Sequence, residues 1–352
     1  MQILDTTAEL FSLLDGLSAE QVFVVTDTNV AQHCLPEVHQ CLPEAPVLVL
    51  PAGEESKSLS TVEKIWDFLF ANNATRNAVI INIGGGVITD MGGFAAATYK
   101  RGIRFVNLPT TLLAMVDASS GGKTGVNYHG LKNAIGTFSP PMATWIYLPF
   151  LHSLPAQEWL SGFAEMLKHA LIAGPQHWQA ILAYNIQQSD IQQLKPLLAD
   201  SLQVKERIVA ADPQEHGLRK ALNFGHTVGH AIEEAYARQG KPVPHGYCVL
   251  WGMVAEMYLN ICKLGFPREP LQQLVHLMLE YYGRPACNCK QQEELLALML
   301  QDKKNTTILR PEAQGLQCRI NFTLLRTIGE PIVNQTATDT EIREALDYLF
   351  SV

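Results

Sequence analysis

The chain has 352 residues, 47% hydrophobic and 17% charged, with a formal net charge of −8 at pH 7. Such a length and apolar content exclude a disordered chain and suit two ordinary domains, while the acidic balance excludes nucleic acid as a partner, since a phosphate backbone demands a basic face. There is no apolar run of about eighteen residues for a membrane span, and the start, MQILDTTAEL, lacks the basic residues and apolar stretch of a signal peptide, so a cytoplasmic protein is expected.

The seven cysteines, at 34, 41, 248, 262, 287, 289 and 318, form neither a zinc-knuckle pattern nor a disulfide framework. The one close pair, Cys287 and Cys289, reads with the rest as free thiols in a reducing compartment.

Apolar strand-like runs recur through the first 150 residues: VFVVTDT at 22–28, PVLVL at 46–50, AVIINIGGG at 78–86 and FVNLPTT at 105–111. Amphipathic stretches such as LSTVEKIWDFLFANN separate them, which predicts a βαβ pattern around a parallel sheet buried on both faces. After Pro149 the chain turns to helix after helix, as in AQEWLSGFAEMLKHALIAG, ALNFGHTVGHAIEEAYA and CVLWGMVAEMYLNICKLG. The fold class is therefore α/β: a Rossmann-like parallel-sheet domain over 1–150, then a mostly α-helical domain over 151–352. No repeat of fixed period is visible.

Several residues fall where chemistry is done. Gly84, Gly85 and Gly86 close a buried strand ahead of Val87 and Asp90, a pattern that suits either a nucleotide's pyrophosphate or a plain tight turn. Asp27-Thr28-Asn29 and Thr110-Thr111 follow strands at the carboxyl edge of the sheet, where ligands of parallel sheets gather, although as isolated features such residues are more often caps and turns. In the helical half, Glu165 and Lys168 lie one turn apart, His226 and His230 share a helix face, and His245 opens a PHG turn. Two nitrogens and one oxygen suit zinc with an open position, although a histidine pair at this spacing is also common without metal. Arg101, Lys123, Lys132, Lys168, Lys205 and Arg219 each lie in or beside a Gly, Asn or His cluster, and together in an acidic chain they point to a bound anion.

Read in order, GEESKS, GGGVITDMGGFAAATYKRGIRF, LPTTLLAMVDASSGGKTGVNYHGLKNAIG, LHSLPAQEWLSGFAEMLKHALI, GLRKALNFGHTVGHAIE, HGYCVLWGM and DKKN resemble the 3-dehydroquinate synthase family, over positions 53 to 305. The resemblance implies NAD and a divalent metal, zinc or cobalt, acting on an anionic sugar phosphate in a homodimer. It implies that Asp27, Thr28, Asn29, Glu54, Glu55, Ser56, Lys57, Gly85, Gly86, Val87, Asp90, Thr110, Thr111, Phe150, Leu151, His152 and Ser153 surround NAD, with Lys123 and Lys132 near both cofactor and substrate. The metal would be held by Glu165, His226 and His245. Asp117, Asn133, Lys168, Lys205, Arg219, Asn223 and one lysine of Lys303 and Lys304 would grip substrate, His230 and Glu215 would serve proton transfer, with Lys123 and Lys168 also at the chemistry, and Arg101 would reach across the dimer.

Three positions depart from the family pattern: Thr89 stands where Gly is usual, Ala118 where Ser is frequent, and Tyr247 where Glu commonly follows the His-Gly turn. Rival readings are another sugar phosphate cyclase, a metal-dependent NAD alcohol dehydrogenase of the glycerol type, and a binding protein that has kept the fold without catalysis.

Overall fold

The structure is a computed structural model and describes residues 1–17, 19–129, 131–286, 291–301 and 320–352. Lys303, Lys304 and the pair Cys287 and Cys289 lie outside the described residues. The chain divides into two compact units, Met1–Gly162 and Phe163–Val352.

The first unit is built on a six-stranded parallel sheet. Its strands are β1 (Gln2–Leu4), β2 (Val22–Asp27), β3 (Val47–Leu50), β4 (Val79–Gly84), β5 (Arg104–Pro109) and β8 (Ala143–Tyr147), in the spatial order β1-β8-β5-β4-β2-β3. The intervening β6 (Lys123–Tyr128) and β7 (Leu131–Phe138) form a separate antiparallel hairpin with an irregularity between Val126 and Tyr128. Every residue of β4 is buried, as expected of a central parallel strand covered on both faces, where an uninterrupted apolar run replaces alternation.

Helix α1 (Leu59–Ala71) starts on a Ser58 cap and turns Val62, Ile65 and Leu69 inward at helical spacing. They join Phe23, Ile80 and Met91 in one core cluster, where each such side chain contributes about 2 kcal/mol by leaving water. Helix α2 (Gly86–Thr98) begins as β4 ends, so the glycines at 84, 85 and 86 mark the strand-to-helix turn. Gly92 lets α2 lie close on the sheet, because a Cβ there would come within 1.8 Å of Asn82 Oδ1. Asn82 in turn donates to Asn107 Oδ1 at 3.0 Å, tying β4 to β5 inside an otherwise apolar layer.

The second unit is mainly helical. Helix α3 (Ala156–Ala173) runs into it across the division, followed by α4 (Ile191–Ala211), α5 (His226–Arg238) and α6 (His245–Leu264). A two-stranded antiparallel sheet, β9 (Asn321–Leu325) with β10 (Pro331–Thr336), and helix α7 (Asp339–Ser351) on a Thr338–Glu341 capping box complete it. The small sheet was not foreseen from the sequence; only NFTLL reads as a strand-like run, and β10 carries Asn334 and Gln335 in place of an apolar face. Among the described residues no helix is long and apolar enough to cross a membrane.

Gly92→Ala is expected to lower unfolding free energy by about 2 kcal/mol or more, since the added methyl must push α2 or Asn82 aside. Urea denaturation measures it, and an unchanged midpoint would show that α2 can lift off the sheet without cost.

Candidate active site

In the second unit three helices bring their side chains to one carboxylate. Glu165, on α3, is fully buried; its Oε2 pairs with Lys168 one turn on, which is itself buried. Its other oxygen, Oε1, lies 3.5 Å from His226 Nε2 and 3.3 Å from His245 Nε2. One ligand atom from each of Glu165, His226 and His245 can be chosen so that all lie within 4.8 Å of one another.

The tautomers follow from the partners on the far side of each ring. His226 Nδ1 is 3.1 Å from the Phe224 carbonyl, which can only accept, so Nδ1 carries the hydrogen and Nε2 presents a lone pair. His245 Nδ1 faces Glu233 Oε2 at 3.3 Å, which fixes its ring in the same sense. Two lone pairs and a carboxylate oxygen thus converge, an arrangement that repels itself unless a cation or protons sit among them. Burial works against a charge on His245, yet the carboxylates of Glu233 and Glu165 outweigh it and push the imidazole up to about 10. The negative field that would hold a proton here favours a divalent cation equally, and N₂O donors in this number fit zinc or cobalt.

His226 and His245 meet because each is the first residue of its helix and the two helices cross closely. Gly225 precedes α5 in the left-handed region, at φ 79°, and a Cβ on Gly252 of α6 would lie 1.9 Å from its carbonyl oxygen. His230, one turn into α5, has its ring centre 5.1 Å from that of His226 and 5.9 Å from that of His245.

The same unit buries further cations: Lys205 on α4 and Arg219 in the turn Leu218–Asn223 are 5% and 3% exposed. The loop before that turn is organised by Asp212, which accepts from the backbone N–H of His216, Gly217 and Arg219 at 3.0, 2.7 and 3.0 Å. Those bonds, that of Gly217 first, hold the Asp212 carboxyl below its usual range. Arg219 also donates to the Pro213 carbonyl at 2.5 Å, and Asn223 Nδ2 donates to Glu215 Oε1 at 2.7 Å, with Glu215 at a positive φ of 62°.

In the first unit, Asp27 is the N-cap of a short helix, its Oδ1 accepting from Asn29 and Val30 at 2.9 and 3.0 Å, with Thr28 as the first helical residue. Glu54, Glu55 and Ser56 form one turn of 3-10 helix, and the buried Lys57 pairs with Asp90 at 2.6 Å. Gly86 and Val87 open α2, capped by Gly85. Thr110 is buried with its Oγ1 lacking a hydrogen-bond partner among the described residues, while Thr111 Oγ1 accepts from Ala114 N at 3.1 Å. An unsatisfied hydroxyl beside a glycine turn at the end of β4 fits a polar ligand over this sheet edge.

Phe150 and Leu151 have buried side chains in the segment Leu148–Ser153, His152 is exposed, and Ser153 donates to the Phe150 carbonyl at 3.1 Å. Asp117 lies in a π-helical turn, Ala114–Ala118, and Lys123, Lys132 and Asn133 are exposed on the hairpin. Arg101 is exposed at the end of the turn Tyr99–Arg101 with a φ of 70°.

Two family models match adjoining stretches of the chain: 3-dehydroquinate synthase N-terminal over residues 47–161 and 3-dehydroquinate synthase C-terminal over 162–305. A 3-dehydroquinate synthase from Parabacteroides distasonis is 43% identical over 346 residues, which cover 98% of this chain and 95% of that protein. One from Salinibacter ruber is 37% identical, with 99% and 94% covered. The chain belongs to the 3-dehydroquinate synthase family. Among solved structures, 2-epi-5-epi-valiolone synthase from Streptomyces hygroscopicus, with NAD+ and Zn2+ bound, is 27% identical with a TM-score of 0.84, covering 99% of this chain and 95% of that one.

The three departures from the family pattern are absorbed locally. Thr89 is buried and donates to the Gly86 carbonyl at 3.2 Å within its own helix. Ala118 faces the start of α2, since a Cβ on Gly86 would come within 3.0 Å of its own. Tyr247 joins an aromatic group, 4.9 Å from Tyr282 and 6.3 Å from Trp251 between ring centres.

Four residues that hold these arrangements were missed in the sequence. Glu233 was signalled only by its place three residues after His230, and Asp212 by the Asp-Pro start of a turn. Asn127 carries no signal, yet it donates from N to the Lys57 carbonyl and from Nδ2 to Glu54 Oε1, both at 2.9 Å, and accepts from Asn133 N at 2.9 Å. Glu256, a lone carboxylate in an otherwise apolar stretch of α6, carries no motif and is fully buried.

Zinc added to chelator-stripped protein at a hundredfold excess over Kd should stabilise the fold by about 2.7 kcal/mol. His226→Ala and His245→Ala should abolish the shift in melting temperature; an equal shift in both variants would place the ion elsewhere.

Proposed function

We propose that this chain is a 3-dehydroquinate synthase, a carbon-oxygen lyase. It converts 3-deoxy-D-arabino-heptulosonate 7-phosphate to 3-dehydroquinate and phosphate by transient oxidation of a hydroxyl, phosphate elimination, re-reduction and intramolecular aldol closure. The observation that carries this reading is the convergence of Glu165, His226 and His245 on one point beside the buried Lys168, in a chain of this family. Bound NAD and a divalent metal supply reversible hydride transfer and Lewis acidity, which together make a proton beside the oxidised carbon removable.

In this reading residues 1–150 bind NAD and residues 151–352 hold metal and substrate. Glu165 Oε1, His226 Nε2 and His245 Nε2 are the metal ligands. Asp27, Thr28, Asn29, the turn Glu54 to Lys57, Gly85 to Val87, Asp90, Thr110, Thr111 and Phe150 to Ser153 line the dinucleotide, with glycine backbone serving the pyrophosphate.

The substrate's carboxylate and phosphate are matched by Lys123, Lys132, Lys168, Lys205, Arg219 and a lysine of the Lys303-Lys304 pair. Burial of Lys168, Lys205 and Arg219 strengthens their pull on an anion, because little water competes. Asp117, Asn133 and Asn223 orient hydroxyls. His230 and Glu215 move protons, with Glu215 steadied by the amide of Asn223. Arg101 contributes across a homodimer, and the protein works in the cytoplasm.

The test is phosphate release from the heptulosonate phosphate with NAD present, before and after metal is stripped, while absorbance reports NADH. The expected result is phosphate and 3-dehydroquinate in equal amounts, dependent on metal and NAD, with no net NADH. Net NADH without phosphate would instead mean an alcohol dehydrogenase, and inertness towards this substrate would favour another sugar phosphate cyclase. His230→Ala should lower kcat by about a hundredfold or more with zinc content and NAD affinity unchanged; full turnover in that variant would remove His230 from the chemistry.

A further inference from the structure

Glu256 lies on α6 one turn beyond Gly252, is wholly buried, and has both oxygens turned to the backbone at the start of α5. Gly225 N donates to its Oε2 at 2.6 Å, and Thr227 N and Val228 N donate to its Oε1 at 3.1 and 3.3 Å. The first N–H groups of a helix have no partner within the helix, and in an apolar interior each must find an acceptor. No side chain of α5's own capping residue can supply one, because that residue is Gly225. The cap therefore comes from another helix, and as a carboxylate rather than a hydroxyl or amide, which makes its bonds charge-assisted.

His226 sits between two of these donors, at the first position of the turn that Glu256 holds. We propose that Glu256 is a positioning residue for the metal centre: its carboxylate fixes the first turn of α5 so that His226 Nε2 stays aimed at Glu165. The inference rests on reading Glu165, His226 and His245 as the metal ligands. The same stretch of α6 is tied into the unit beyond α5, since Asn260, one turn further on, accepts from Leu325 N of β9 at 3.1 Å. Thr227 Oγ1 meanwhile donates to the Asn321 carbonyl at 3.0 Å at the start of that strand. Neither bond can replace the cap, because both serve strand backbone and leave the N–H groups of Gly225, Thr227 and Val228 to Glu256.

A glutamine at 256 keeps the volume but turns an amide NH₂ towards at least one of the donors, so a buried N–H loses its acceptor and the turn must move. An aspartate keeps the charge but falls one methylene short. Ligand geometry tolerates only about 0.5 Å of displacement, and loss of a residue that orients a ligand commonly weakens metal binding by roughly tenfold to a hundredfold.

The experiment is zinc affinity by chelator competition on the full chain, with NAD affinity and melting temperature measured alongside, for wild type, Glu256→Gln, Glu256→Asp and Ile181→Ala. Ile181 is buried in the helix Pro175–Leu182, which bears none of the three ligands, and serves as a control for lost stability alone. The expected result is zinc binding weakened at least tenfold in Glu256→Gln and less in Glu256→Asp, with Ile181→Ala at wild-type zinc affinity and NAD affinity unchanged throughout. Zinc affinities within twofold of wild type in both Glu256 variants would overturn the inference alone, as would an equal loss in Ile181→Ala. Should Glu256→Gln fail to fold, Glu256→Asp decides by the same criterion. A wild-type chain that binds no zinc would overturn the ligand assignment itself, and the inference with it.

Discussion

Helices α5 and α6 approach until no side chain fits between them: a Cβ on Gly252 would lie 1.9 Å from Gly225 O and 2.7 Å from Gly229 N. From that contact follows the position of His226 and His245, each the first residue of its helix, and so the meeting of their Nε2 atoms at Glu165. The cost of the crossing is a helix start buried without a capping side chain of its own, and α6 offsets it with Glu256. Packing, capping and ligand geometry are in this unit one problem with one solution.

The cluster is also strongly polar for an interior. Glu165, Lys168, Glu233 and Glu256 are all buried, and an isolated buried charge is costly. Each is met by a partner: Lys168 and Glu165 by one another, Glu233 by His245, Glu256 by backbone N–H groups. Such groups contribute little to stability compared with apolar packing of the same volume. Their value is in holding donors at fixed positions in a region where water cannot screen them.

Much of this was legible in the chain. The parallel sheet followed from buried apolar runs such as VIINIG, and the helical second half from its periodicity, because both signals are carried by side-chain burial. The candidate ligands Glu165, His226 and His245, which the structure brings together, were picked out through motif order, since His-x-x-x-His alone does not separate a ligand pair from a structural one. What stayed hidden depends on backbone geometry. Asn127 links the Glu54 turn, Lys57 and Asn133 through one main-chain bond and two bonds of its own side-chain amide, a set that leaves no pattern in sequence. Glu256 is invisible for the same reason: its partners are three N–H groups on another helix. Strand β10, with Asn334, Gln335 and Thr336 in succession after Pro331, Ile332 and Val333, shows neither periodicity.

The central claim is that one carboxylate oxygen and two imidazole nitrogens hold the metal. X-ray absorption spectroscopy of the zinc-loaded protein tests it most directly. The expected spectrum has two imidazole nitrogens at about 2.0–2.1 Å and the remaining contacts from oxygen at about 2.0–2.2 Å. A third imidazole, which would have to come from His230 or elsewhere, or any sulfur scatterer at about 2.3 Å would contradict the assignment.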